Sequence, residues 1–139
     1  MRAVVDTNVL IYDTYEDSLH HVLASQLLDE LDEWVIPLIV LYEYVWFLKG
    51  MGEGAEVTLE KLEDYTLSDK SHVYREDDSV LRRAISTLMR DRLTLGKFND
   101  EVILRIALEE DLPLATFDRR LRLRAKRTGV KVLPPQIGR

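Results

Sequence analysis

"FNDEVILRIALEEDLPLATFD", residues 98–118, decides how this chain folds. Residues 99–112 read as a helix with acids in its first turn, and "PLATF" (113–117) reads as a buried strand. A helix that runs straight into a buried strand is the repeating unit of an α/β layer fold built on a parallel sheet. The rest of the chain repeats the pattern. "RAVVD" (2–6) is a short apolar run ending in an acid, "WVI" (34–36) a second strand, "HVY" (72–74) a third and "KVL" (131–133) a closing one. Helices are predicted between them. They cover 18–31 (capped by Asp17 or Ser18), Pro37 to about Lys49 (stopping at Gly50 and Gly52), 56–67, 77–93 (Asp77 or Asp78 at its cap) and 118–128.

Composition narrows the class. With 139 residues, 46% hydrophobic and 32% charged, the chain fits one globular domain over 1–139. There is no cysteine, so disulfides and thiolate metal sites are excluded and an intracellular, cytoplasmic setting is expected. No signal peptide is expected, because Arg2 opens directly onto a core strand. The apolar run 38–48 is too short to span a bilayer and carries Glu43 at its centre, so no membrane role is expected. Net charge is −6, unevenly spread: 119–139 holds 8 basic residues and no acid, against 11 basic and 25 acidic residues before it. Such a tail is either a solvated basic helix or a patch for phosphate or a partner, with Arg119, Arg120, Arg122 and Arg124 nearest the predicted site.

Four acids converge on this frame. Asp6 and Asp118 end two buried strands, at the sheet edge where parallel α/β proteins bind ligands. Asp100 opens the helix that returns into the strand ending at Asp118, so it lies on the same side. Glu43 sits two turns into the helix that begins where the second strand ends. Taken singly, Asp100 is a charge complementing a helix dipole, and Asp6 or Asp118 is a turn or cap residue. Glu43 is harder to dismiss, set as it is among apolar residues. Together, four carboxylates at one edge repel one another unless a hard cation joins them, and Mg²⁺ or Mn²⁺ suits oxygen donors. His20 and His21, being adjacent, face different ways and read as ordinary boundary residues.

These residues resemble the PIN domain family, and within it the small toxin ribonucleases of VapBC-type toxin–antitoxin modules. "VVDTNVLI" (4–11) is similar to the family's opening strand and turn, "YEYVWFL" (42–48) to the segment of its second acid, and 98–118 to the block of its third and fourth. The resemblance covers essentially the whole chain and implies a three-layer α/β/α fold with a central parallel sheet of about five strands. It implies catalytic and metal-ligating roles for Asp6, Glu43, Asp100 and Asp118 around one or two Mg²⁺ or Mn²⁺ ions, in hydrolysis of RNA phosphodiesters. Asp6 and Asp118 are then the central ligands, Asp100 completes or orients the site, and Glu43 positions the attacking water or holds a second ion. Thr116, on the same strand face as Asp118, is expected to fix that carboxylate, and Asn8 to hold substrate phosphate, a ligand or simply a turn. A homodimer and a small antitoxin partner are implied as well. Gly96 and Lys97 stand where some relatives carry another acid, and 50–78 matches no motif. A PIN-fold RNA-processing nuclease outside such a module and a catalytically silent interaction domain are the alternatives. Phosphotransfer folds fit poorly: Asn8 replaces the second acid of the haloacid dehalogenase pattern, and "WVI" ends in Pro37 where a receiver domain needs its phosphoacceptor. No Gly-x-Gly-x-x-Gly is present for a dinucleotide.

Overall fold

The computed structural model describes residues 1–138. Five parallel strands form one sheet in the order β3-β2-β1-β4-β5, where β1 is Arg2–Val5, β2 Glu33–Pro37, β3 Ser71–Tyr74, β4 Leu114–Ala115 and β5 Val132–Leu133. Seven helices connect them: α1 Thr7–Thr14, α2 His21–Glu30, α3 Leu38–Gly50, α4 Ala55–Thr66, α5 Asp78–Arg90, α6 Phe98–Glu109 and α7 Arg119–Arg127. A 3₁₀ turn, Leu95–Lys97, precedes α6. The right-handed rule for parallel crossovers puts α1 to α4 on one face and α5 to α7 on the other, and α1 packs on α2 and α3, α3 on α4, and α6 on α5 and α7. The α/β fold with a parallel five-stranded sheet is as the sequence reads.

The central strands are buried from both sides. Ala3, Val4 and Val5 of β1 and Leu114 and Ala115 of β4 are all inaccessible, as near-continuous apolar strands between helical layers must be. Strand order reverses between β1 and β4, since the chain runs outward from β1 to β3 before crossing back. The Asp6 N–H donates to Ala115 O at 2.9 Å, so the two carboxyl ends are tied at this switch point.

Two local readings change. Residues 7–14 form a helix, where the sequence suggests only a turn. Thr7, Val9 and Ile11 are β-branched and weak helix formers, and packing against α2 and α3 overrides that preference. Nor do Asp17 or Ser18 cap α2: it begins at His21 without a side-chain cap, and the Ser18 hydroxyl donates to Tyr12 O and Tyr15 O. The apolar α3 is also less enclosed than its composition suggests. Val40, Tyr44 and Leu48 form its buried stripe, while Tyr42 and Trp46 are 69% and 66% exposed.

Pro37 is the N-cap of α3 and offers no capping side chain. Glu76, 38 residues away, supplies the cap: its carboxylate accepts from Leu38 N at 2.9 Å and Ile39 N at 2.8 Å. A carboxylate on two free N–H groups also complements the helix dipole. Glu76→Ala is expected to destabilise the protein by about 1 kcal/mol, the typical worth of an N-cap, with the loss read from urea unfolding midpoints at constant slope.

Candidate active site

At the switch point one open cleft of about 290 Å³ is lined by Asp6, Glu43, Asp100 and Asp118, together with Thr7, Asn8, Ile11 and Phe47. The four acids come from the end of β1, the second turn of α3, the first turn of α6 and the loop after β4. The structure brings all four to one wall.

Three of the four carboxylates are aimed by hydrogen-bonding neighbours. Asp6, only 5% exposed, is the N-cap of α1, and its Oδ1 accepts from Thr7 N at 2.7 Å. Its Oδ2 accepts from the Thr116 hydroxyl at 2.7 Å and from Asn8 Nδ2 at 3.2 Å. Thr116 therefore holds Asp6, not the Asp118 carboxylate as its strand face suggests. Its hydroxyl also accepts from Asp118 N at 3.1 Å, because β4 ends at Ala115 and the chain then folds back on itself. Asn8 lines the cleft and is tied to the loop after β4 as well. Its Nδ2 also reaches Thr116 Oγ1 at 3.3 Å and its Oδ1 accepts from Phe117 N at 3.0 Å, stitching the loop after β4 to the start of α1. Asp118 caps α7, accepting from Leu121 N at 3.0 Å.

Glu43 is half-buried and accepts on both oxygens, from the Thr7 hydroxyl and from Asn99 Nδ2 at 2.9 Å. Sequence reading assigned roles to neither donor. The signal was present, since the chain's only two asparagines, Asn8 and Asn99, each lie within two residues of a cleft acid. Both prove to be side chains that orient carboxylates.

Electrostatics records the crowding. Burial, then the charges of Asp100 and Glu43, push Asp6 up to about 7 against the pull of its Thr116 and Thr7 hydrogen bonds. Burial, then Asp118 and Glu43, raise Asp100 to about 6, with Lys97 acting the other way. Two acids of one cleft thus ionise less readily than ordinary carboxylates when no cation is present.

A model of the PIN domain family matches residues 3–127. The chain belongs to the PIN domain family. No curated protein matches the sequence significantly. Among solved structures, VapC20 of Mycobacterium tuberculosis, described as a sarcin–ricin loop cleaving toxin, is similar with a TM-score of 0.74 at 17% identity, over 88% of this chain and 94% of that one. A toxin–antitoxin complex from Klebsiella pneumoniae has a chain similar at 0.64 and 19% identity, over 96% and 98%. FitAcB from Neisseria gonorrhoeae has one similar at 0.68 and 20% identity, over 97% and 98%. At such identities the likeness is one of fold.

Does this PIN domain's cleft suit a divalent cation? Its charged donors are all carboxylates, the oxygen ligands that hard cations prefer, and burial together with their mutual repulsion disfavours the charge of Asp6 and Asp100, a conflict that a cation relieves. The chemistry of the donor set fits. Among the described residues, however, no three acids or histidines stand as a closed ligand cluster, so the side chains must draw together to hold an ion.

The basic helix of the PIN domain divides sharply. Arg122 is 6% exposed and donates to Thr116 O at 2.9 Å and to Pro134 O at 2.7 Å, pinning the C-terminal segment beneath the active-site loop. It is not a surface contact for RNA or a partner, contrary to the sequence reading. Its burial is possible because those backbone carbonyls satisfy its donors. Arg124 is likewise engaged, with Glu101 and Asp91, each at 2.9 Å. Arg119 and Arg120 are both exposed and in no ion pair among the described residues; Arg119 donates to Gly138 O at 3.1 Å, and Arg120 makes no hydrogen bond there. Arg122→Ala is expected to destabilise the fold by about 2–3 kcal/mol, since buried carbonyls lose charged donors, while leaving the salt dependence of RNA binding unchanged. Urea unfolding and binding isotherms at several salt concentrations check the two halves.

Proposed function

We propose that this chain is a Mg²⁺- or Mn²⁺-dependent endoribonuclease and the toxin of a type II toxin–antitoxin module. The observation that carries the reading is the convergence of Asp6, Glu43, Asp100 and Asp118 on one open cleft at the switch point. The structural likeness to a sarcin–ricin loop cleaving toxin and to a toxin–antitoxin complex supports it. A silent interaction module has no use for a buried acid such as Asp6 among like charges, because its ionisation opposes folding.

A divalent ion bound here supplies Lewis-acid polarisation of a phosphodiester and an activated water. The chain's own residues do the rest. Asp6 and Asp118 are the ligands we assign to the ion. Thr116 and Asn8 fix the first, and the α7 N-terminus fixes the second. Asp100 faces them from α6 and completes the set. Glu43, locked by Thr7 and Asn99, is a hydrogen-bond acceptor aimed into the cleft, suited to orient the attacking water and take its proton. Ile11 and Phe47 form an apolar wall, and the cleft stays open enough for a polymer strand.

An antitoxin and a second copy of the chain complete the proposal, with cellular RNA as substrate in the cytoplasm. The exposed apolar side chains of α3, Tyr42, Val45, Trp46 and Phe47, support a protein-covered face there. We assign it to the antitoxin because Phe47 also lines the acid cleft, where an inhibitor has to act. No described helix is long and apolar enough to cross a membrane. The test is purified protein with unstructured and structured RNA in Mn²⁺ or EDTA. Internal cleavage in Mn²⁺ alone supports the reading, and cleavage that persists in EDTA or affects neither RNA overturns it.

A further inference from the structure

A second hollow, of about 260 Å³, lies beside the acid cleft between the 3₁₀ turn, α6 and α7. Asp100 borders both. Its apolar surface comes from Leu93, Leu121 and Leu123, and Leu123 is 51% exposed at its mouth. Around it stand Lys97, Arg120 and Arg127, none in an ion pair among the described residues. The other acid in its wall, Glu101, is 2% exposed and neutralised by Arg124 at 2.9 Å. The hollow thus joins an apolar surface to three cations outside any ion pair among the described residues, one side chain away from the acids.

We infer that this hollow is a nucleotide subsite: it takes the nucleotide next to the cleaved bond of a single-stranded RNA. The inference rests on the nuclease reading above and deepens it. An RNA strand presents the complementary chemistry, flat apolar bases strung between phosphates. With one phosphate at Asp6 and Asp118, the chain's continuation past Asp100 brings a base over Leu93 and Leu123 and its phosphate to Lys97, Arg120 and Arg127. Guanidinium planes at the rim also stack on bases exposed in single strands. A base paired in a duplex is not free to enter, so the subsite favours unpaired RNA. Without these cations the acids of the first cleft repel a polyanion.

Two double variants of equal charge test this. Arg120→Ala/Arg127→Ala strips the hollow, and Lys126→Ala/Lys131→Ala removes the same charge from the same tail outside it. Binding of a single-stranded RNA decamer is measured in EDTA across salt concentrations, and its cleavage in Mn²⁺. The first pair is expected to weaken binding about tenfold at low salt and to lower the salt slope by about 1.4, the value for two lost phosphate contacts on single strands. KM is expected to rise in parallel while kcat changes less than twofold. The second pair is expected to change either quantity less than twofold. Identical effects from the two pairs, or none from the first, overturn the subsite while leaving the nuclease reading intact. Loss of binding to an acidic peptide in the first pair, with RNA unaffected, overturns it in favour of a protein-docking site. Failure of the unaltered protein to cleave any RNA overturns the nuclease reading itself, and the subsite with it.

Discussion

Asp6→Asn is expected to lower RNA cleavage by well over a hundredfold without unfolding the protein. Asp6 sits where β1 is tied to β4, and five neighbouring groups define its place: Thr7 N, the Thr116 hydroxyl and Asn8 Nδ2 by hydrogen bonds, Asp100 and Glu43 by charge. Removing a group that merely orients a metal ligand already costs about 10–100-fold in metal affinity or activity, so removing a ligand should exceed that. Asparagine keeps the shape and an acceptor oxygen for Thr7 N or Thr116, so the fold survives. The same substitution removes a buried charge that opposes folding, and in EDTA above pH 7 the variant is expected to melt no lower than the wild type. Activity lost with stability kept is the signature of a functional acid. Parallel loss of both would instead mark Asp6 as a structural cap of α1.

The second large effect is on the pH dependence of the metal-free protein. Asp6 is raised from near 3.8 to about 7 and Asp100 to about 6, both chiefly by burial. A folded-state acid with a raised pKa keeps its proton while the unfolded chain has already released it. Its favourable contribution is full below the unfolded value and is lost as pH rises through the folded one. Each pH unit in that window removes about 1.4 kcal/mol per proton, so Asp6 alone takes away on the order of 4 kcal/mol between pH 4 and pH 7. Asp91, held down at about 2 by Arg90 and Arg124, acts with the opposite sign and at lower pH. The metal-free protein is therefore expected to be most stable near pH 4, about the unfolded carboxylate value, and to lose stability toward neutrality. Thermal melting in EDTA from pH 3 to 8 reads this directly, and a melting temperature that climbs from pH 4 to pH 7 contradicts it. Mn²⁺ at a hundredfold excess over its dissociation constant restores about 2.7 kcal/mol at neutral pH by linkage.

What the sequence made legible followed strong local signals. Short apolar runs ending in acids located β1 and the loop after β4, and the parallel topology then brought Asp6, Glu43, Asp100 and Asp118 to one edge. What it hid depended on tertiary contact. Helix α1 is made of residues that resist helix formation and is held by its neighbours. The cap of α3 comes from Glu76, beyond the reach of any local motif. Arg122 and Arg120 look alike in a basic run, yet one is buried on carbonyls and the other stands at the rim of a hollow. Thr116 belongs to Asp6 rather than Asp118 because β4 stops two residues earlier than the apolar pattern implies.

In the proposed function these carboxylates together hold the divalent ion on which RNA cleavage depends. This is tested most directly by Mn²⁺ titration followed by electron paramagnetic resonance, at pH 7, on the wild type, Asp6→Asn and Asp118→Asn. Saturable binding by the wild type, weakened at least about tenfold in each variant in step with cleavage, is the expected result. Mn²⁺ binding that is equal in all three proteins, or absent from a wild type that still cleaves RNA, contradicts it.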